Sequence, residues 1–189
     1  MTTLDLGAEL KLATLRRVLL ERVTPSLPGD VLLKLDEGAR TVADIVASGA
    51  VVYGVNTGFG LLANTSIPEA DLEKLQRNLV LSHACGVGPL LPDSVVRLIM
   101  ALKIASLSRG ASGVRRETVL ALGRLLEAEV YPCIPAKGSV GASGDLAPLA
   151  HLSAVLIGVG EARVKGEVMP AVAPWPAAKI VAPVQAAAQ

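Results

Sequence analysis

The chain has 189 residues, of which 51% are hydrophobic and 19% are charged, and its formal net charge is +1. These values are typical of a soluble protein that folds around a core, and they exclude an intrinsically disordered chain. Because 18 basic and 17 acidic residues are interleaved along the chain, no basic face indicates binding to nucleic acid or to an anionic membrane.

The sequence shows no sign of export or of membrane insertion. Residues Met1–Asp5 lack the basic region and apolar stretch of a secretory signal, and no apolar run reaches the roughly 18 residues of a membrane span. The two cysteines, Cys85 and Cys133, are distant in sequence and lack the spacing of metal ligands. We therefore expect a cytoplasmic protein without a metal, in which both cysteines are reduced and serve packing.

Apolar residues recur at helical spacing in six segments. In chain order, the predicted helices cover residues 10–22, 30–49, 66–83, 92–110, 115–130 and 145–157. Asp30 is expected to cap the second helix, Ser66–Glu69 has the pattern of a capping box for the third, and Asp145 is expected to cap the last through the Ala147 amide. No strand is predicted beyond a hairpin near residues 163–169, so the predicted fold class is all-α.

The chain divides by its motifs into three regions. Residues 1–110 form an N-terminal helical region, and residues 111–167 hold the helices that flank a glycine-rich turn. Residues 168–189 contain no leucine, no glycine and no acidic residue, but four of the twelve prolines. We expect this last region to be a disordered tail or a segment unrelated to the domain before it.

The glycine-rich turn lies directly before the last predicted helix. Gly138, Gly141 and Gly144 fall within seven residues, with Ser143 among them. A phosphate-binding P-loop is disfavoured because no Gly-Lys pair follows the turn. A hydrolase nucleophile elbow is disfavoured because Asp145 stands where its last glycine is required.

A third interpretation uses Ala142, Ser143 and Gly144 themselves. A compressed turn can bring the Gly144 amide nitrogen onto the Ala142 carbonyl carbon. Ring closure with loss of water, followed by dehydration of Ser143, leaves a five-membered ring with an exocyclic methylidene. Such a ring is an electrophile, and the positive end of the following helix favours electron-rich states on it. On residue types alone, an ordinary Gly/Ser loop at a helix entry is the simpler alternative.

Several motifs in consistent order resemble one family over about residues 4–167. Gly138–His151 is similar to the signature of the aromatic amino acid ammonia-lyases, and Tyr53–Gly60 resembles the catalytic tyrosine loop of that family. Asn78–Ala84 resembles its substrate-pocket helix end, and Ser106–Gly110 and Val130–Pro132 also fit. Within the family, Ser82-His83 is similar to the version found in enzymes that act on histidine.

The resemblance implies a specific cofactor and reaction. Ala142, Ser143 and Gly144 would form the family's methylidene-imidazolone (MIO) group, with no metal or diffusible cofactor. The implied reaction is elimination of ammonia from L-histidine to give trans-urocanate, the first step of histidine degradation. The implied protein is a cytoplasmic homotetramer that binds a small-molecule substrate and neither nucleic acid nor membrane.

The resemblance also implies roles for individual residues. Tyr53 would be the general base for the β-carbon proton, and His83 would contact the substrate imidazole. Asn56, Gly60 and Asp145 would support the site. Taken singly, Tyr53 fits a packed tyrosine, and His83 fits a helix-end cap or a core histidine. His151 is expected to be a core histidine whose hydrogen bonds are satisfied.

The family members run to more than twice this length, which leaves a second hypothesis open. Their central helical bundle, and the residues that hold the substrate carboxylate and amine, lie after the part present here. A truncated or frameshifted gene would end in such an alanine- and proline-rich tail, and would leave apolar faces exposed. The alternatives are therefore a non-catalytic helical fragment or subunit partner, or an ammonia-lyase for another aromatic amino acid.

Overall fold

The computed structural model describes residues 2–59, 65–141 and 144–171. Helix predominates in these ranges, and the described helices agree with the six predicted segments to within a few residues at each end. Their bounds are α1 Leu12–Leu20, α2 Gly29–Ser48, α3 Glu69–His83, α4 Asp93–Leu107, α5 Arg116–Glu127 and α6 Leu146–Leu156. No helix among the described residues is both long and apolar enough to cross a membrane.

The hydrophobic core is centred on α4, α5 and α6. Met100 and Ile104 of α4 and Val119 and Leu125 of α5 have no exposed surface. The same cluster includes Leu152 of α6. One core therefore joins the two predicted regions, residues 1–110 and residues 111–167. Large exposed apolar side chains are also present, such as Leu12, Leu33 and Leu102.

The prediction of an all-α fold is confirmed only in part: helices predominate, but the described residues also include seven short strands. The strands are β1 Thr2–Asp5, β2 Val23–Ser26, β3 Val87–Leu90, β4 Val130–Pro132, β5 Pro135–Lys137, β6 Glu161–Val164 and β7 Glu167–Pro170. They form a parallel β1–β2 pair, an antiparallel β3–β5 pair and a three-stranded sheet in the order β4–β6–β7. Strands of three or four residues are too short to show a two-residue alternation, so the sequence pattern does not reveal them.

The hairpin predicted near residues 163–169 is confirmed. β6 and β7 pair antiparallel from Val164↔Glu167 to Glu161↔Pro170. Lys165 and Gly166 both have positive φ, at 51° and 87°, which is the conformation of a two-residue type I′ turn. Val168, Met169 and Pro170 therefore belong to the folded sheet, and the predicted start of the tail at residue 168 is too early. The remainder of the predicted tail, residues 172–189, lies outside the described residues.

The three predicted helix caps are not formed by the residues expected. α2 begins after Pro28 and α3 after Pro68, and neither has a side-chain hydrogen bond at its N-cap. Proline has no amide hydrogen, so it can precede the first turn without leaving an extra donor unsatisfied. Asp145 is the N-cap residue of α6 but makes no side-chain cap hydrogen bond. Its carboxylate is instead engaged by Ser139.

Candidate active site

The glycine-rich turn lies beside the end of α3 because β3 and β5 pair. β3 follows α3, and β5 leads into the turn; their register pairs Val87 with Lys137 and Leu90 with Pro135. α6 begins immediately after the turn and packs along α3. Two segments more than fifty residues apart in sequence therefore meet at one place.

Part of the predicted cofactor turn can be described. Ala142 and Ser143 of the turn lie outside the described residues, as does Gly60 of the Tyr53 loop. Gly144 has a φ of 79°, and a Cβ added to it would meet no atom within 4 Å. The Ser139 hydroxyl donates a hydrogen bond to the Asp145 carboxylate. This bond ties the beginning of the turn to its end, so the supporting residue Asp145 closes the turn and does not cap the helix.

A cavity of about 240 Å³ lies between the turn and the end of α3. Its walls are largely apolar, with a histidine and a cysteine on one side. The described residues that line it are His83, Cys85, Gly138, Val140, Gly144, Leu146 and Ala147. The structure therefore brings together two of the predicted site residues, His83 and Gly144.

The ring of His83 is oriented by its own helix. Its Nδ1 lies 2.8 Å from the Leu79 carbonyl oxygen and 3.1 Å from the Ser82 hydroxyl. A carbonyl oxygen only accepts, so Nδ1 must carry the hydrogen and donate it to Leu79. In the neutral ring this leaves Nε2 with a lone pair that can accept a hydrogen bond. The interpretation of His83 as a helix-end group therefore holds for Nδ1, which bonds to the helix, while Nε2 remains available to a ligand.

His151 has a hydrogen-bond partner, as predicted, but it is half-buried and not a core residue. Its Nε2 accepts a hydrogen bond from the Gly86 amide at 3.0 Å. Burial lowers the pKa of His151 below its ordinary value, which favours the neutral ring that can accept this bond. His151 thus connects α6 to the segment that follows His83.

The two cysteines differ in their surroundings. Cys133 is buried, which confirms a packing role for it, and burial raises the pKa of its thiol. Cys85 is exposed and borders the cavity, so its predicted packing role is wrong. The residue follows the end of α3, where the chain turns away from the core towards β3.

The loop that carries Tyr53 is fixed by two buried polar side chains. Asn56, only 5% exposed, accepts a hydrogen bond from the Val52 amide at 2.9 Å and donates one to the Ala50 carbonyl at 2.8 Å. Thr57 is also buried and donates to the Gly58 carbonyl. Asn56 therefore supports the loop by replacing backbone hydrogen bonds that the turn cannot make.

The loop is also attached to the residues before α3. The Ile67 amide donates to the Asn56 carbonyl at 2.9 Å, and the Gly58 amide donates to the Thr65 carbonyl at 3.1 Å. Thr57 and Ser66 form an isolated antiparallel bridge. The Tyr53 loop is thereby joined to the N-terminal end of α3, whereas His83 lies at the C-terminal end of this 15-residue helix. At 1.5 Å per residue the two ends of this helix lie about 20 Å apart along its axis.

Tyr53 itself is not buried by the rest of the fold. Its side chain is 62% exposed, and its ring contacts Phe59 edge-on at 5.9 Å between centroids. It is absent from the described residues that line the cavity. The alternative of a packed tyrosine is therefore wrong, and the structure does not bring Tyr53 to His83 and Gly144.

Ser139 and Gly86 are residues beside the site that the sequence analysis did not single out. Their positions follow from the β3–β5 pairing, which has no local signal in the sequence. The described residues contain no group of three or more histidine, cysteine or acidic side chains able to hold a metal.

Comparison with known proteins relates this arrangement to one family. The sequence-family model for aromatic amino acid lyases matches residues 10–189 of this chain. The chain belongs to this family. The match includes the residues that were expected to form a separate tail.

Individual relatives are longer than this chain. Histidine ammonia-lyase of Burkholderia vietnamiensis is 59% identical over 167 residues, which cover 88% of this chain and 33% of the relative. The chain thus spans about a third of the length of the curated relatives that it matches.

Solved structures show the same fold. Histidine ammonia-lyase from Trypanosoma cruzi superposes with a TM-score of 0.80 at 32% identity, covering 91% of this chain and 33% of that one. The ergothioneine-degrading enzyme ergothionase from Treponema denticola gives 0.85 at 29% identity, covering 89% of this chain and 34% of that one. Members of the fold therefore differ in substrate, and the choice among substrates depends on side chains in the site.

Proposed function

We propose that the chain is the N-terminal part of a histidine ammonia-lyase, which eliminates ammonia from L-histidine to give trans-urocanate. The observation that carries this proposal is the cavity that joins His83 to Gly144. It combines a hydrogen-bond acceptor for an imidazole with the last residue of the proposed cofactor tripeptide. The 59% identity to a histidine ammonia-lyase supports the same substrate.

The described part of the turn has room for an MIO group. Gly144 borders the cavity and has open space where a side chain would be, and its φ of 79° is a conformation that favours glycine. α6 begins two residues later, so its unpaired amides lie close to the ring position. The group would be built from Ala142, Ser143 and Gly144 and would supply an electrophile that no encoded side chain provides.

His83 is proposed to select the substrate. Its Nδ1 is held by the Leu79 carbonyl, so its Nε2 accepts the N–H of the substrate imidazole. A phenylalanine ring offers no such donor and would leave Nε2 unpaired in an apolar cavity. Unpaired polar groups of this kind give strong discrimination between substrates.

Tyr53 is proposed to remove the β-carbon proton, as the resemblance implies, but this role needs a rearrangement or a second chain. Tyr53 is exposed, its loop is joined to the end of α3 opposite His83, and it is not among the described residues that line the cavity. Assembly into a homotetramer, which the family resemblance implies, is the proposed means of completing the site. Residues beyond those present here would hold the carboxylate and the amine of the substrate, and we propose the cytoplasm as the compartment.

The first experiment measures the intact mass of the purified chain and of its Ser143→Ala variant. We expect the unsubstituted chain to lack two water molecules, with the loss localised to the peptide that contains residues 142–144. Ser143→Ala cannot form the methylidene and should retain the second water. Ser153→Ala, a change on α6 outside the cavity lining, is the control and should match the unsubstituted chain. An unmodified tripeptide in that chain would falsify the proposed cofactor.

The second experiment follows urocanate by its ultraviolet absorbance. It uses the chain alone and the chain mixed with the remaining two thirds of a related histidine ammonia-lyase. We expect turnover in the mixture, loss of turnover with Ser143→Ala, and a loss of about a hundredfold or more with Tyr53→Phe, as for removal of a general base. Tyr131→Phe removes a hydroxyl outside the cavity lining and should retain the turnover per folded molecule.

A second candidate function is favoured by the exposed position of Tyr53. If the chain is a non-catalytic fragment or a partner of full-length subunits, the mixture would show no turnover while the chain still co-purified with the other piece. Turnover with phenylalanine in place of histidine would instead identify an ammonia-lyase for another aromatic amino acid.

A further inference from the structure

Three chain segments meet at Gly86, where a side chain would be tightly crowded. A Cβ on Gly86 would lie 3.1 Å from His151 Nε2 and 3.3 Å from the Lys137 carbonyl oxygen. A Cβ on Gly138 would lie 3.0 Å from Gly86 Cα and 3.2 Å from Ala147 Cβ. The end of α3, the exit of β5 and the first turn of α6 are therefore in direct contact at this point.

Between the end of α3 and the start of β3 at Val87, the described backbone makes few hydrogen bonds. The Ala84 amide completes the helix by bonding to the Val80 carbonyl, and the Cys85 amide bonds to the His83 carbonyl only two residues back. The Gly86 amide is the first to leave the helix, and its acceptor is the imidazole of His151, 65 positions further along the chain. This bond fixes the direction in which the chain leaves His83.

We propose that His151 is a positioning residue: by accepting the Gly86 amide hydrogen, its Nε2 holds the segment with His83 and Cys85 against the start of α6. The proposal rests on the proposed function only in that His83 contacts the substrate. His151 is not among the described residues that line the cavity, so it acts through the position of His83. The bond requires a neutral ring with its hydrogen on Nδ1.

The test uses three substitutions. His151→Leu fills similar space without an acceptor. His151→Gln carries an amide oxygen at about the same distance along the side chain as Nε2, so it can restore the bond. Gly86→Ala keeps the amide hydrogen but places a methyl group against the imidazole. Ser153→Ala on the same helix is the control.

The first readout is amide hydrogen exchange at Gly86, measured by NMR on the chain. We expect His151→Leu and Gly86→Ala to lose protection at this amide by about tenfold or more, because a hydrogen bond of about 1.4 kcal/mol corresponds to a factor of ten. His151→Gln should recover most of the protection. Unchanged protection in His151→Leu would overturn the proposal.

The second readout separates positioning from general destabilisation. In the mixture that shows turnover, His151→Leu should raise KM for L-histidine about tenfold, whereas kcat per folded molecule and the water loss at residues 142–144 should change little. His151→Gln should restore KM. A fall in kcat alone, or no rescue by glutamine, would contradict positioning through His83. If no mixture turns over, the proposed function fails, and the exchange data still decide whether the His151–Gly86 contact holds the segment.

Discussion

α3 and α4 are both fifteen residues long, yet they have opposite relations to the core. α4 buries Val96, Arg97, Met100, Ala101, Ile104 and Leu107, whereas none of the described side chains of α3 is fully buried. The candidate cavity lies at the end of the less buried helix. A site on such a helix depends on a few directional contacts, because hydrophobic packing alone does not fix its position.

Arg97 shows how differently the two helices use polar groups. Its guanidinium is buried in the core and donates to the Val18 carbonyl at 2.6 Å and to the Leu19 carbonyl at 2.7 Å. It therefore satisfies carbonyls in the last turn of α1, which have no intrahelical partner. His83 on α3 donates from Nδ1 to a carbonyl of its own helix and leaves Nε2 available to the cavity. The core helix uses its polar side chain for stability, and the site helix leaves one available for binding.

The largest expected effect is a loss of stability when a buried side chain of α4 is truncated. Ile104→Ala in α4 removes a side chain with no exposed surface and should lower the free energy of unfolding by about 2–5 kcal/mol. Leu75→Ala in α3 is the matched change at a half-buried position and should cost about 1 kcal/mol, because it loses only part of the transfer energy. Urea denaturation measures both. Equal losses would show that α3 is as firmly packed as α4.

A smaller effect is expected in the Tyr53 loop. Asn56→Ala leaves the Val52 amide and the Ala50 carbonyl without their partners, which should cost about 1–3 kcal/mol and increase proteolysis within residues 51–59. Asn78→Ala on the exposed face of α3 is the control. If Asn56→Ala were as stable and as protease-resistant as the control, the loop would have to be held by other contacts.

The smallest effect is the pH dependence contributed by His151. Burial lowers its pKa in the folded state below the ordinary value of 6.5, so the unfolded chain binds more protons between the two values. Stability from this group is therefore fully present above about pH 6.5 and is lost as the pH falls through the folded pKa.

The control for this dependence is His151→Gln, which cannot titrate. Urea denaturation between pH 5 and 7.5, a window chosen about the ordinary histidine value, should show a steeper loss of stability towards acid in the unsubstituted chain. Identical slopes for the two proteins would mean that the imidazole is equally basic in the folded and unfolded chains.

The helices could be predicted from the sequence because their signals are local. Apolar spacing and the prolines at positions 28, 68 and 92 locate α2, α3 and α4 to within a few residues. The strands could not be predicted in the same way, since β1 pairs with residues 23–26 and β3 with residues 135–137. Such pairings depend on contacts distant in sequence. Only the β6–β7 hairpin, which has a local turn, was visible.

The positions of the site residues also depend on contacts that are distant in sequence. His83 and Gly144 were linked only by a family resemblance, and the structure brings them to one cavity. Asp145 was expected to cap α6, but the side chain of Ser139 competes for its carboxylate. Cys85 was expected to serve packing, but its side chain is exposed and borders the cavity. No local pattern distinguishes these outcomes, because each depends on which segment packs opposite.

The sequence by itself determined the six helices, the glycine-rich turn and the motifs that relate the chain to the aromatic amino acid lyases. These features depend on residue types at short spacing. The tertiary structure alone decided that the end of α3 meets the turn, that His151 bonds to Gly86, and that Tyr53 stays outside the cavity. Each of these depends on the β3–β5 pairing and on the packing of α3 against α6, which join residues far apart along the chain.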